Sequence, residues 1–166
     1  MLSSINLLKF PTVKKLLIID RYDPRLDKPA LKELFKDFIA SKSYFFSYWE
    51  KFEEELNRRT LDLQYRNSMV VAKEDGKVVG FGTYTLFRDY LGNDRVLIHQ
   101  VITKKEDSFK KGIEEQIIRE LQLYIKRSLK VDKIYFICSD SDATLRSLFL
   151  KLGVKKSRYI WYEKEI

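Results

Sequence analysis

SFKKGIEEQII, residues 108–118, is the stretch on which the fold turns. Ahead of it, RVLIHQVIT (95–103) is an apolar, β-branched run that predicts a strand. From it onward, Ile113, Ile117, Leu121, Ile125 and Leu129 recur every fourth residue, and Ile118 and Tyr124 widen that stripe. The stretch is therefore a joint between a strand and a long amphipathic helix, with Gly112 at the junction. DKIYFIC (132–138) follows as a second apolar run. A strand, helix, strand passage implies a parallel strand pair with a right-handed crossover. A helix opening from a strand end leaves several N–H groups unpaired and aimed at one spot, which attracts anions. Glycine there lets a phosphate approach the backbone closely, and Lys110 and Lys111 bring two positive charges.

Working toward the N-terminus, SMVVAKEDGKVVGFGTYTLF (68–87) reads as a hairpin turning at Glu74-Asp75-Gly76-Lys77. Gly80 and Gly82 fall inside the returning strand, where glycine marks a bulge or a close backbone approach. KKLLIID (14–20) predicts a first strand ending in the turn-prone RYDPRLDKP. Asp27 then precedes a helical pattern carried by Leu31, Leu34, Phe35 and Phe38. A second helix is expected at about 43–64. Tyr44, Phe45, Phe46, Tyr48, Trp49 and Phe52 make it too aromatic for one stripe, and EKFEEELNRR reads as its solvated face. Toward the C-terminus, SDATLRSLFLKLG (141–153) predicts a helix closed by Gly153, and SRYIWYEKEI a last strand.

The order implies an α/β (α+β) fold: a mixed, mostly antiparallel sheet with helices on both faces. The chain's 166 residues suit one domain, 1–166, with 1–13 as a short N-terminal extension. MLSSINLLKFPTV lacks a basic start and is broken by Ser3, Ser4 and Asn6, so no signal peptide is expected. No apolar run reaches spanning length. A lone Cys138 fits a reducing, cytoplasmic setting. The net charge of +8 comes from 32 basic residues interleaved with 24 acidic ones, as on solvated helix faces. With no nucleic-acid motif present, a polyanion partner rests on net charge alone.

This arrangement resembles the GNAT superfamily of acyl-CoA-dependent N-acetyltransferases. AKEDGKVVGFGTY is similar to that family's second and third strands, and ATLRSLFLKLGVKKSRYIWYEKEI to its closing helix and strand. The likeness runs over nearly the whole chain from Lys14. The family's pyrophosphate loop, Gln/Arg-x-x-Gly-x-Gly/Ala, falls on Phe109-Lys110-Lys111-Gly112-Ile113-Glu114. Gly112 and the apolar Ile113 match, whereas Phe109 replaces the opening Gln/Arg and Glu114 the closing small residue. The loop from Val101 is also about three residues longer than usual. A Glu114 side chain turned outward would complement the helix dipole, and one turned inward would compete with phosphate for the same donors.

The resemblance implies acetyl-CoA as cosubstrate, an amine acceptor and no metal. It places the pantetheine arm along RVLIHQVIT, at His99, Gln100, Val101 and Ile102, with a backbone N–H of that strand polarising the thioester carbonyl. His99, the single histidine, is the candidate base because its ordinary pKa of about 6.5 suits neutrality; its other reading is a half-buried histidine satisfied by a neighbour. By alternation it shares a face with Leu97 and Val101, with Gln100 opposite. Phe149 stands where family members often place a tyrosine acid, and it cannot donate a proton. Asp142 falls where they often have a pantetheine-contacting asparagine, while Tyr159 and Tyr162 in the last strand are further acid candidates. Cys138 reads as a small hydrophobe. The aromatic segment Tyr44–Phe52 matches the acceptor pocket, with core packing or a homodimer contact as its other reading. The expected function is transfer of acetyl to an amine on a small molecule or protein. The alternative is a GNAT-shaped acyl-CoA-binding or interaction module that has lost catalysis.

Overall fold

The computed structural model describes residues 15–41 and 47–166. Strand β1 (Leu17–Arg21) is followed by helices α1 (Pro24–Ser41) and α2 (Trp49–Leu61). Strands β2 (Met69–Glu74), β3 (Lys77–Arg88), β4 (Asp94–Ile98) and β5 (Ile102–Thr103) come next, then α3 (Ile113–Ser128), β6 (Ile134–Phe136) and α4 (Ala143–Lys151). They form one sheet in the order β1-β2-β3-β4-β6, with β5 also paired to β3. Every pairing is antiparallel except β4 with β6, so the expected mixed, mostly antiparallel sheet is present.

Alternation along the strands splits the core in two. Met69, Val71, Val78, Phe81 and Ile102 point toward α1 and α2, meeting Leu31, Leu34, Phe35, Phe38, Trp49 and Leu56. Val70, Ala72, Tyr84, Val96, Ile98 and Val101 point the other way, onto Ile113, Ile117, Ile118, Leu121 and Ile125 of α3. Helices thus cover both faces, and two-sided burial explains why β2 reads as a continuous apolar run.

The β2–β3 hairpin turns at Asp75 and Gly76, both at positive φ (51° and 78°), the pairing a two-residue hairpin loop favours. Ala72 faces Gly80 while Lys73 faces Val78, leaving Val79 as a bulge. Gly80 and Gly82 let α3 lie directly on β3. A Cβ at Gly80 would overlap Ile113 Cγ2, and one at Gly82 would overlap Ile117 Cγ2.

Several boundaries differ from the sequence reading. α1 begins at Pro24, a turn before the pattern expected after Asp27. Asp23 caps it by accepting the Arg25 N–H at 2.9 Å, and the buried Asp27 carboxylate accepts the Asp23 N–H at 2.8 Å. Lys73 Nζ, 3.1 Å from Asp27 Oδ1, ties that turn to β2. α2 is shorter than the expected 43–64; Tyr44, Phe45 and Phe46, like the extension 1–13, lie outside the described residues. The last strand is a correction. Residues 154–166 hold no strand, and Tyr159, Ile160, Trp161 and Tyr162 are exposed. An alternating pattern becomes a strand only where a ladder accepts it, and no described segment pairs with the outer side of the three-residue β6. Among the described residues no helix is long and apolar enough to cross a membrane.

Gly82→Ala is expected to lower stability by about 2 kcal/mol, as overpacking of a close-packed interior does. Urea unfolding checks this, and the double variant Gly82→Ala/Ile117→Ala should cost less than the two single costs added together.

Candidate active site

The site is built where RVLIHQVIT departs from a continuous strand. Tyr84 faces Ile98 and Phe81 faces Ile102, so Gly82 and Thr83 on β3 stand opposite three residues, His99, Gln100 and Val101. That extra residue is a β-bulge, and it corrects the single strand expected over 95–103. It also corrects the face assignment. Leu97 and His99 share a face, but Val101 slips to the opposite core with Val96 and Ile98. The His99 N–H still donates to Thr83 O at 3.0 Å. Neither the Gln100 nor the Val101 N–H has an acceptor among the described residues.

Two cavities meet at this bulge. One, of about 310 Å³, lies on the α1–α2 side and is lined by Phe38, Phe52, Leu56, Phe81, His99 and Gln100 among others. The second, of about 100 Å³, runs past His99, Gln100 and Val101 toward Phe109 and Glu114, with Phe136, Leu145 and Phe149 on its wall. His99 and Gln100 border both.

His99 belongs to a chain of hydrogen bonds that starts on α2. Glu55 Oε1 accepts from Arg59 Nε at 2.7 Å and from Arg58 Nη2 at 2.7 Å. Arg59 crosses to β3, donating to Thr83 Oγ1, to Tyr84 O and, at 2.8 Å, to Thr85 Oγ1. Thr85 Oγ1 lies 2.6 Å from His99 Nε2. Arg59 can only donate, so the Thr85 oxygen accepts from it; the Thr85–His99 bond runs from the hydroxyl to Nε2 in one ring tautomer and from Nε2–H to the oxygen's second lone pair in the other. Burial, reinforced by the Arg59 charge, lowers the His99 pKa to about 4. His99 is therefore neutral near pH 7 with Nε2 hydrogen-bonded to Thr85. Hydrogen bonds from Arg58, assisted by Arg59, hold Glu55 at about 2.

At the other end, Gly112 caps α3 in the left-handed region (φ 70°), and no side chain caps the helix start. The first-turn N–H groups have no partner within the helix. Lys110 is exposed, whereas Lys111 is drawn to Asp107 at 3.0 Å and Glu74 at 3.6 Å. Glu114 turns inward. Its Oε1 accepts from Phe109 N at 3.0 Å and Thr103 Oγ1 at 3.2 Å, while Oε2 is buried without a partner. The outward orientation that would merely complement the dipole is thus not the one adopted. The two bonds also hold Phe109 at φ 59°, a left-handed geometry that a bulky residue adopts only when its surroundings enforce it.

The remaining candidates fall around this core. Ile113 is fully buried beneath the helix start, and Ile102 re-enters the sheet facing the larger cavity. Phe149 packs against Phe136 with ring centroids 5.1 Å apart. Asp142 caps α4 by accepting the Leu145 N–H at 2.9 Å. Cys138 is half-buried, and burial pushes its thiol up. Tyr159 and Tyr162 are 84% and 91% exposed and line neither cavity. The residues that sequence reasoning missed are Arg59, Thr85 and Glu55. EKFEEELNRR reads as a solvated face, yet Phe52, Leu56 and Arg59 are spaced four and three apart, and that spacing places Arg59 on the buried stripe.

The acetyltransferase (GNAT) family model matches residues 31–154, and the chain belongs to that family. Among curated protein sequences none matches. Solved structures share the fold. An aminoglycoside N-acetyltransferase in complex with CoA superposes with a TM-score of 0.70 at 14% identity, covering 95% of this chain and 100% of that one. A ribosomal-protein-alanine N-acetyltransferase from Brucella melitensis biovar Abortus 2308 gives 0.67 at 16% identity, covering 91% and 100%. Glucosamine-6-phosphate N-acetyltransferase from Arabidopsis thaliana gives 0.66 at 14%, covering 90% and 99%. At these identities the likeness concerns the fold.

The lowered His99 pKa carries a sign. Between about pH 6.5 and pH 4 the unfolded chain holds a proton on this ring that the folded chain excludes, so stability falls as pH falls through that window. Thermal unfolding at pH 7 and pH 5 should show a smaller loss for His99→Gln than for the wild type.

Proposed function

We propose that the protein is an N-acetyltransferase that moves acetyl from acetyl-CoA to an amine. The observation that carries this is the bulge at His99–Val101, where two cavities meet beside the open start of a helix. The first-turn N–H groups of α3, with Lys110 and Lys111, are donors and charges suited to a pyrophosphate. The smaller cavity leads from there past Gln100 and Val101, with Phe149 on its wall, and suits an extended, largely apolar arm. Asp142 sets the start of α4 beside Leu145, another residue of that wall.

The free N–H groups of Gln100 and Val101 are the donors available to a thioester oxygen as it becomes an oxyanion. The larger cavity supplies the amine. Its nitrogen attacks the carbonyl carbon, the C–S bond breaks, and the sulfur leaves with the electron pair. Phe149 supplies no proton, so the thiolate takes one from the amine or from water. His99 acts as a positioning residue that shapes the wall between the cavities.

One observation favours the alternative of a binding module without catalysis: the Glu114 carboxylate occupies the Phe109 N–H and places negative charge beside the anion donors. Calorimetric titration with acetyl-CoA separates the two readings. Lys110→Ala/Lys111→Ala should weaken binding about tenfold, as loss of two charges facing phosphate implies. Glu114→Gln, which keeps an acceptor for Phe109 and removes the charge, should tighten it a few-fold. No heat from either the wild type or Glu114→Gln would remove acetyl-CoA from the proposal and leave the interaction module.

A further inference from the structure

The larger cavity is informative about the acceptor, and this inference rests on the acetyl-transfer reading above. Its volume of about 310 Å³ is at the lower end of small-molecule sites, which run from about 300 to 1,000 Å³. Phe38, Phe52, Leu56, Phe81, Leu97 and Ile102 make most of the wall. Phe52 meets Phe81 edge-on, with centroids 5.9 Å apart and planes at 84°, a wall that offers both ring faces and ring edges.

Charge is as telling as shape. Among the described residues Glu55 is the one carboxylate on this wall, and both its oxygens are already held by guanidinium groups: Oε1 by Arg58 and Arg59, Oε2 by Arg58. The other ionic group among the described residues of the wall is Arg59 itself, buried, and His99 beside it is neutral. An ammonium entering here would lose its water, find no vacant carboxylate, and face a guanidinium. A substrate with several ammonium groups would meet that cost several times. Among the described residues of the wall, the two groups that could take a proton from an ammonium are both already hydrogen-bonded, Glu55 to Arg58 and Arg59 and His99 Nε2 to Thr85.

We infer that the acceptor is a small apolar amine that enters this cavity uncharged, a weakly basic aromatic amine fitting best, and that polycations are excluded. Such an amine carries its lone pair free at neutral pH, so the absence of a base costs it nothing. Its nitrogen bonds the acetyl carbon, one N–H proton passes to the departing sulfur or to water, and the products are an amide and free coenzyme A. The solved aminoglycoside acetyltransferase shares this fold; here the described residues of the acceptor wall include no free carboxylate of the kind a polycationic sugar needs.

The test measures thiol release from acetyl-CoA with 4-methylaniline, 2-phenylethylamine, spermine and kanamycin, beside calorimetric binding of acetyl-CoA to the same protein. 4-Methylaniline is expected to exceed spermine and kanamycin at least tenfold in kcat/KM, with 2-phenylethylamine between. Ile137 lines both cavities and is 45% exposed, so Ile137→Glu adds a carboxylate with little risk to folding. That variant should narrow the preference at least fivefold. A preference for spermine or kanamycin overturns the inference and leaves acetyl transfer standing. So does a protein that binds acetyl-CoA yet acetylates neither apolar amine. Failure to bind acetyl-CoA overturns both.

Discussion

The buried guanidinium of Arg59 is the interaction on which the functional half of the molecule depends. It leaves α2, crosses the edge of the first core and spends its donors on Glu55, Thr83, Thr85 and the Tyr84 carbonyl. Three consecutive residues of β3 are thereby fixed against one helix. A lysine could not replace it, because a single ammonium offers no planar fork to span acceptors on two elements. Its position sets the polarity around it: Thr85, bonded to His99, accepts from its guanidinium, and the described residues of the larger cavity's wall are left without free negative charge. One side chain thus couples helix placement, the histidine's surroundings and cavity electrostatics.

The bulge at His99–Val101 is the backbone counterpart. Three residues opposite two shift the alternation by one, so Val101 can enter the α3-side core while Ile102 enters the α1-side core. The same shift releases two N–H groups from the ladder without opening the sheet, since β5 re-pairs with β3 immediately afterwards. A regular strand paired on one side leaves only alternate N–H groups free, so two adjacent free donors need the bulge.

What the sequence revealed and concealed follows from the range of the interactions involved. The hairpin at Asp75-Gly76, the fourfold stripe of α3 and the Gly153 stop of α4 are written in neighbouring residues, and they stand as read. The glycines at 80 and 82 were legible as a close approach, though the partner became evident only with α3 in place. Interruption of the 95–103 run was not legible, because the bulge is defined by register against β3 rather than by any residue within it. Arg59 looked like one more charge in EKFEEELNRR, and the neighbouring strand supplies all of its acceptors but Glu55. Glu114 could have faced either way on local grounds; Thr103 and the Phe109 N–H, brought close by the fold, decide it. The last strand failed for the complementary reason: SRYIWYEKEI has the pattern, and the ladder is missing.

The contact between α3 and the two glycines of β3 has a consequence for how such a site can change. Because Ile113 and Ile117 rest on bare backbone, the height of the whole helix above the sheet is set by two hydrogen atoms. The N-terminal end of that helix, with its uncapped N–H groups, is attached to the same rigid rod. Volume added or removed beneath the rod translates its tip relative to the bulge, much as a shim under a beam moves its far end. The spacing between the two ends of the binding groove is therefore adjustable from inside the core, with no atom that faces a ligand altered. Drift in the packing layer and change in ligand reach are one variable in this architecture.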